Sequence, residues 1–354
     1  MDLEQNNNQR ETTGSPPSQP IPPPAQGMVT IEPRRRRSGW RIFWGIVLTL
    51  SILANILLLL MLIGVSALIM TGHRGVLTEE VIQKGPQSTK IAVIKVQGLI
   101  DDRQRRDVYR QLERARQDKR VKGLIIRVYS PGGTIAGSDQ IYNEIVKYKD
   151  KTGKPVVAFM QGVAASGGYY VSVACDKIVA EQTAITGSIG VIFAHFIFKD
   201  LLEEKLGIEP VIITAGKKKG WLSPFEPVTV EQRQYIEDKL ISPAYERFKD
   251  VVASGRKKAS LTPKDVDRLA DGGIYWAQEA LDERLIDKIG YFDQAVQQVK
   301  LLADIEKARV VEYRKPFSLA GLLSLRAGNI LRIDRNTLYE LSTPQLLYLW
   351  TMQQ

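Results

Sequence analysis

The pattern of apolar and polar positions divides the chain into three zones. Residues 1–39 are polar and proline-rich, and GSPPSQPIPPPAQ at Gly14–Gln26 carries only Ile21 as a large apolar side chain. Such a stretch has nothing with which to build a core and predicts a disordered arm, either a solvated tether or a proline-rich partner site. From Ile42 to Gly72 there is no Lys, Arg, Asp or Glu. An apolar run of about 30 residues exceeds the roughly 20 that span a bilayer and is about twice the core of a cleaved signal peptide. A transmembrane helix is predicted over 40–72, its surplus length absorbed by tilt, with Trp40 and Trp44 at the headgroup boundary.

Beyond a linker at 73–88 the period changes. Ile91–Ile100 has the β-branched look of a strand, Asp102–Lys119 a charged helical pattern, and Gly123–Val128 and Pro155–Met160 are short apolar runs suited to buried parallel strands. Ser138–Lys149 predicts a helix with Ile141, Ile145 and Val146 on one face, and Gly162–Gly168 a small-residue turn leading into a helix with Tyr169 and Tyr170. Strands are predicted at Lys177–Ala180, Ile185–Phe193 and Glu209–Thr214, and helices at Val228–Arg256, Thr262–Ala270, Trp276–Leu281 and Phe292–Ile305. Repeated strand–helix alternation argues for one α/β domain over 89–316 with right-handed crossovers, followed by a C-terminal extension at 317–354.

Charge sets the orientation. Arg34–Arg37 and Arg41 precede the span, whereas Arg74 and Lys84 follow it among Glu79 and Glu80. The positive-inside rule then places the N-terminus in the cytoplasm and residues 73–354 outside it. The net charge of +10 over 354 residues is carried by basic residues interleaved with acids, with no basic-aromatic stripe, so no nucleic acid partner is expected. The chain holds one cysteine, Cys175, and two histidines, His73 and His195. One cysteine excludes an intrachain disulfide, and three such residues fall short of a four-ligand zinc site, so no metal is expected. The same scarcity leaves few bases for a Ser-His-Asp triad and turns attention to Lys, Asp and Glu.

Two glycine-rich turns each follow a buried strand and precede a helix: Ser130–Thr134 (SPGGT) and Ala164–Tyr170 (AASGGYY). Glycines let a backbone approach a ligand closely, and two such turns could converge on a developing oxyanion beside Ser166. Either turn alone is equally an ordinary strand-to-helix connection. Neither fits a GxxxxGK[ST] or GxGxxG pattern, so no nucleotide cofactor is expected.

These motifs carry a resemblance. SPGG at Ser130–Gly133, ASGGYY at Ala165–Tyr170, TGSIG at Thr186–Gly190, GLIDD at Gly98, AGKKKGWLSPF at Ala215–Phe225 and the segment Gln278–Asp293 resemble, in order and spacing, the signal peptide peptidase A family of membrane serine proteases. The resemblance covers roughly residues 88–315. It implies a ClpP/crotonase-like α/β domain and a Ser–Lys dyad. Residue by residue it places the nucleophile at Ser166, the base at Lys219 and the lysine-orienting hydroxyl at Ser188, with Gly132, Gly133 and Gly167 in the oxyanion hole. The Asp that usually follows the base is Gly220 here, and Lys217 or Lys218 would serve in a shifted register. A lysine is protonated at neutral pH, so a base lysine must sit where burial disfavours its ammonium. The resemblance further implies an inner-membrane endopeptidase in contact with lipid, degrading signal-peptide remnants and other apolar peptides. Its relatives assemble as homo-oligomeric rings with the lysine supplied across a protomer boundary. The rivals are a crotonase-type acyl-CoA enzyme and a catalytically silent membrane scaffold, the latter favoured by Gly220.

The remaining chemistry-bearing residues have simpler readings. His195 in VIFAHFIF reads as packed core, His73 as interfacial, and Cys175 as buried and inert. Tyr169 and Tyr170 pack the helix after Ser166 and are candidates to line a pocket. After Arg335 the one charge is Glu340, and Leu346–Trp350 form an apolar cluster too short to span a bilayer. It is expected to dock on its own chain or on the membrane surface. The sharper expectation, with Pro344 blocking helix, is an extended fit along a neighbouring protomer's peptide groove.

Overall fold

The computed structural model describes residues 39–72, 77–314 and 344–351. The proline-rich arm with Arg34–Arg37, His73 and Arg74, and residues 317–343 lie outside the described residues. Helix α1 (Gly39–Gly72) is rich in Leu, contains no proline, and over Gly39–Ser66 is long and apolar enough to cross a membrane.

The second unit follows in chain order as β1 (Thr78–Gln83), β2 (Lys90–Gln97), α2 (Asp102–Gln117), β3 (Val121–Ser130), β4 (Gly132–Thr134), α3 (Ile135–Thr152), β5 (Val156–Ala165) and α4 (Gly167–Ser172). There follow β6 (Lys177–Ala180), β7 (Ile185–Gly187), β8 (Ile192–Ala194), α5 (Val230–Ile236), α6 (Ser242–Gly255) and α7 (Pro263–Leu269). The last elements are β9 (Ile274–Trp276), α8 (Ala277–Asp282), β10 (Lys288–Ile289), α9 (Phe292–Leu302), β11 (Arg309–Arg314) and β12 (Gln345–Leu349).

Along the main sheet the order is β1-β11-β2-β3-β5-β6-β10, with β7 added to the end of β5 and β9 to β7; β1 on β11 and β9 on β7 are antiparallel and the other pairs parallel. Its central strands are buried on both faces, which is why they read as unbroken apolar runs. Ala92, Ile94, Leu124, Ile126, Ala158 and Met160 face the large core that also holds residues of α2, α3, α4 and α6. The alternate positions Ile91, Val93, Ile125, Val157 and Phe159 pack with Ala295, Val296 and Val299 of α9. Helix α2 starts where the Asp101 side chain accepts the Gln104 N–H, and α3 where Thr134 accepts that of Gly137. At the other end of α3, Gly153 takes the left-handed conformation, φ 63°.

Several elements differ from the sequence expectation. Strand β5 runs on to Ala165 instead of turning at Gly162, because Val163, Ala164 and Ala165 pair with Ile185, Thr186 and Gly187 of β7. The single strand expected at Ile185–Phe193 is two. Gly187 and Ser188, at φ 83° and 50°, turn the chain out of the main sheet, and β8 joins a second, three-stranded sheet ordered β4-β12-β8. Glu209–Thr214 forms no strand: its apolar positions find no partner, and Ile213 is 93% exposed. Helix 228–256 is interrupted by a wide π-type turn at Glu237–Ile241, just before Pro243, which has no N–H to continue a regular ladder. Thr78–Gln83, within the stretch read as linker, pairs with β11, and the extension contributes β12.

One polar junction braces the region behind α4. Arg256 is 3% exposed, and its guanidinium donates to Asp287 at 2.7 Å and to the Arg284 carbonyl at 2.9 Å. Asp287 also accepts from Lys177 Nζ at 3.0 Å and from the Ile178 N–H at 2.8 Å. Tyr169 of α4 reaches the same loop, its hydroxyl donating to the Leu285 carbonyl.

Candidate active site

Three tight turns meet at one point. Ser166 joins β5 to α4 with φ 53° and ψ −116°, a conformation disfavoured for any residue with a Cβ. It is held there from both sides: its N–H donates to the Gly187 carbonyl at 2.8 Å, and its carbonyl accepts the Tyr170 N–H at 2.9 Å. Ser188, one residue beyond Gly187, is also at positive φ and is fixed by its N–H to the Gly273 carbonyl at 2.6 Å. Ser166 and Ser188 are 1% and 7% exposed, so little of either side chain meets solvent.

The third turn supplies the glycines. Ser130 Oγ donates to the Gly98 carbonyl at 2.5 Å and accepts the Gly132 N–H at 3.1 Å, which fixes Gly132 at φ 105°. A methyl group at Gly132 would fall 2.8 Å from the Gly167 nitrogen, and one at Gly167 would fall 3.1 Å from the Gly132 Cα. At Gly133 a methyl group would fall 2.2 Å from the Ile100 carbonyl oxygen. The two turns therefore touch backbone to backbone, and glycine is required for the contact.

Strand β12 lies in the groove between β4 and β8. It is antiparallel to both, with Leu347, Tyr348 and Leu349 opposite Thr134, Gly133 and Gly132, and Gln345, Leu346 and Leu347 opposite Ala194, Phe193 and Ile192. The Trp350 N–H donates to the Pro131 carbonyl at 2.8 Å. Bonded pairs alternate along an antiparallel ladder, so the next bonded pair is Tyr348 with Gly133, and the Tyr348 carbonyl accepts the Gly133 N–H. That carbonyl oxygen also lies against both other glycines, 2.0 Å from a methyl group placed on Gly132 and 3.1 Å from one on Gly167. The tail thus docks on its own chain, in extended form, with a peptide carbonyl beside Ser166. Beyond it a cavity of about 660 Å³ opens, lined by Ser188, Gly190, Asp271, Leu349 and Trp350 among others.

Residues 148–306 match the model of peptidase family S49, and residues 79–185 match that of Clp protease. The putative signal peptide peptidase SppA of Enterococcus faecium is 36% identical over 264 residues, which is 72% of this chain and 74% of that protein. The chain belongs to the S49 peptidase family. The chloroplastic serine protease SPPA of Arabidopsis thaliana is 35% identical over 71% of this chain, and Protease 4 of Haemophilus influenzae 34% over 63%. The chain spans 36% of the length of each of those two. As an S49 member it is a peptidase with a ClpP-like α/β domain and, among the described residues, one helix long and apolar enough to cross a membrane.

Of the residues expected to act together in an S49 site, Ser166, Ser188, Gly132, Gly133 and Gly167 converge. Lys219 does not join them. Lys217, Lys218 and Lys219 lie in an exposed loop, the Lys219 N–H donates to the Gly216 carbonyl, and Lys218 Nζ stands over the Trp221 and Tyr235 rings at 4.8 and 4.1 Å. His195 is half-buried rather than packed in the core, because it follows the short edge strand β8. Cys175 is buried, and burial pushes its thiol up, away from the reactive thiolate.

Around Tyr348, Tyr170, a pocket candidate from the sequence, is joined by Phe248, Ala244, Asp139 and Arg247, which sequence reasoning did not single out. The Tyr348 ring stacks on Tyr170 at 5.1 Å and meets Phe248 of α6 at 4.7 Å, and its hydroxyl donates to the Ala244 carbonyl at 2.6 Å. Tyr170 is anchored by its hydroxyl to Asp139 at 2.6 Å, and Arg247 holds the same carboxylate at 3.1 Å. Phe248 carries no signal in the sequence beyond being one apolar position of a helix.

Proposed function

We propose that this chain is a serine endopeptidase in which Ser166 is the nucleophile and Lys219 of a neighbouring copy is the base. The reading is supported above all by the peptide carbonyl of Tyr348 standing at the Gly133 N–H, beside Ser166 in its strained turn. The lysine accepts the Ser166 hydroxyl proton as Oγ attacks the scissile carbonyl. The Gly133 and Gly167 N–H groups, with Gly132 shaping the turn, stabilise the oxyanion. The lysine then protonates the leaving amine, and in the second half it activates the water that hydrolyses the acyl ester. Ser188 orients the amine.

Supply of the lysine from another copy is favoured by two features. Lys219 is exposed, while a base must be covered. Its loop also displays apolar side chains without partners: Leu206, Ile208, Val211 and Ile213 are 58%, 52%, 78% and 93% exposed. Assembly into a ring of copies would cover both. With α1 as anchor and arginines on its N-terminal side, the catalytic domain lies outside the cytoplasm at the inner membrane. Its substrates are signal-peptide remnants and other apolar peptides.

The test is complementation. Ser166→Ala and Lys219→Ala proteins are each expected to be inactive on peptides, and co-assembly of the two to restore cleavage. A fluorophosphonate probe should label the wild type and not Ser166→Ala. Full activity in Lys219→Ala with loss in Lys218→Ala would move the base by one residue. Absence of labelling would favour the silent scaffold to which Gly220 points.

A further inference from the structure

A cavity of about 390 Å³ is lined by Leu77, Glu79, Lys90, Arg114, Arg120 and Arg309 among others, from β1, β2, the end of α2 and β11. None of these residues belongs to the candidate active site. Four of the six side chains are cations and one is an anion. The back of the cavity is built in: Lys90 is 3% exposed, and its ammonium donates to Glu79 at 2.6 Å and to Asp118 at 3.0 Å. Asp118 also takes the Arg120 guanidinium, at 2.9 and 3.0 Å. The two carboxylates are thus answered by Lys90 and Arg120, and the guanidiniums of Arg114 and Arg309 are in excess. Among the described residues neither of them makes an ion pair, and Arg309 donates through Nε to the Gly85 carbonyl at 3.1 Å. Tyr313, close enough to feel Glu79, Asp118 and Arg114, buries a hydroxyl that has no partner among the described residues. Burial, and then the two carboxylates, push this phenol up, so it keeps its proton and stays a donor.

Two unpaired guanidinium forks in one cavity suit the oxygens of a phosphate, which they bind by parallel charge-assisted hydrogen bonds. Chain length says where the phosphate comes from. Leu77, on the cavity wall, is the fifth residue after Gly72, the last residue of α1. Five residues of extended chain span at most about 18 Å. An anchor at α1 therefore holds this wall within that distance of its end. We propose that the cavity binds the phosphate of an anionic phospholipid headgroup through Arg114 and Arg309, while Lys90 and Arg120 neutralise Glu79 and Asp118 behind it. The proposal rests on α1 as the membrane anchor and not on the chemistry at Ser166. A zwitterionic headgroup would bring its own cation against the two arginines, so the site distinguishes it from an anionic one.

The experiment is native mass spectrometry of the full-length protein in detergent, titrated with phosphatidylglycerol or with phosphatidylcholine of the same acyl chains. Phosphatidylglycerol is expected to bind about 10-fold more tightly, the worth of one charge-assisted hydrogen bond. The double variant Arg114→Gln, Arg309→Gln should lose that preference. Arg103→Gln removes an equal charge from the same helix three turns away and should keep it. Arg34–Arg37 also attract anionic lipid, but they are present in every protein compared, so the difference between variants reports the cavity. Inorganic phosphate equimolar with the lipid should leave the lipid bound. Displacement at that level would make free phosphate the ligand and overturn the assignment to lipid. A double variant that keeps the preference, or an Arg103→Gln protein that loses it equally, overturns the site. If the double variant does not fold, Arg114→Gln alone is read: its guanidinium holds nothing else among the described residues, so the fold should stand and part of the preference should go. No loss in that variant would equally refute the site. The measurement needs no bilayer, so a negative result leaves the anchor standing. The anchor itself is judged by whether alkaline carbonate strips the protein from vesicles.

Discussion

At Ser166 the backbone takes a turn that a glycine would hold with less strain, φ 53° with ψ −116°. Side chains in such regions cost on the order of 1–3 kcal/mol, supplied by the surrounding hydrogen bonds. Ser166→Gly is therefore expected to melt above Ser166→Ala by a few degrees in calorimetry, although neither is labelled by a fluorophosphonate. Equal melting temperatures would show that the turn stores no strain. That this residue is the candidate nucleophile came from the resemblance carried by SPGG, ASGG and TGSIG. Its strain was not legible, because that depends on Gly187 accepting its N–H from a strand 21 residues further on. Lys219 was legible only through the resemblance. Nothing in GKKKG separates three neighbouring lysines by physics.

Among the elements, α6 and β6 and the loop after α8 are tied by Asp287 to Arg256, Lys177 and the Ile178 N–H. Burial acts to raise the Asp287 carboxyl, but the hydrogen bond and charge of Arg256 outweigh it and hold the group below its ordinary value. A carboxyl depressed in the folded state contributes stability that is complete above its unfolded value, about 3.9, and is lost as pH falls through the folded value. Asp287→Asn leaves the Arg256 charge buried and should cost about 3 kcal/mol at pH 7. Urea midpoints measured from pH 7 to pH 3 should show that difference shrinking below about pH 4. A difference constant with pH would mean the ion pair is not what stabilises the junction. The strands β2, β3 and β5 announced themselves as continuous apolar runs because helices cover both faces of the sheet. Glu209–Thr214 has similar apolar residues and no partner, and periodicity alone cannot say whether a partner exists. Strands β9 and β10, three and two residues long, are below any pattern.

For the whole molecule, the apolar loop around Val211 and Ile213 and the lysines beside it stand exposed in a single chain. The groove, in contrast, is filled by β12. The sequence marked the tail as apolar and extended but could not say where it docks, since β4 and β8 are three-residue edges without a signature. Because the strand is covalently part of the molecule that it occupies, it competes as a tethered ligand. A ligand tied covalently to its receptor acts at an effective concentration set by the tether and not by the protein concentration. Peptide substrates must outcompete that fixed local concentration, so the tail raises the apparent KM and leaves kcat alone. Truncation after Arg335 is accordingly expected to lower KM for an apolar peptide, and an unchanged KM would refute a competing tail. A tail that fills its own groove makes the full-length KM indifferent to enzyme dilution for as long as the assembly that supplies Lys219 holds together.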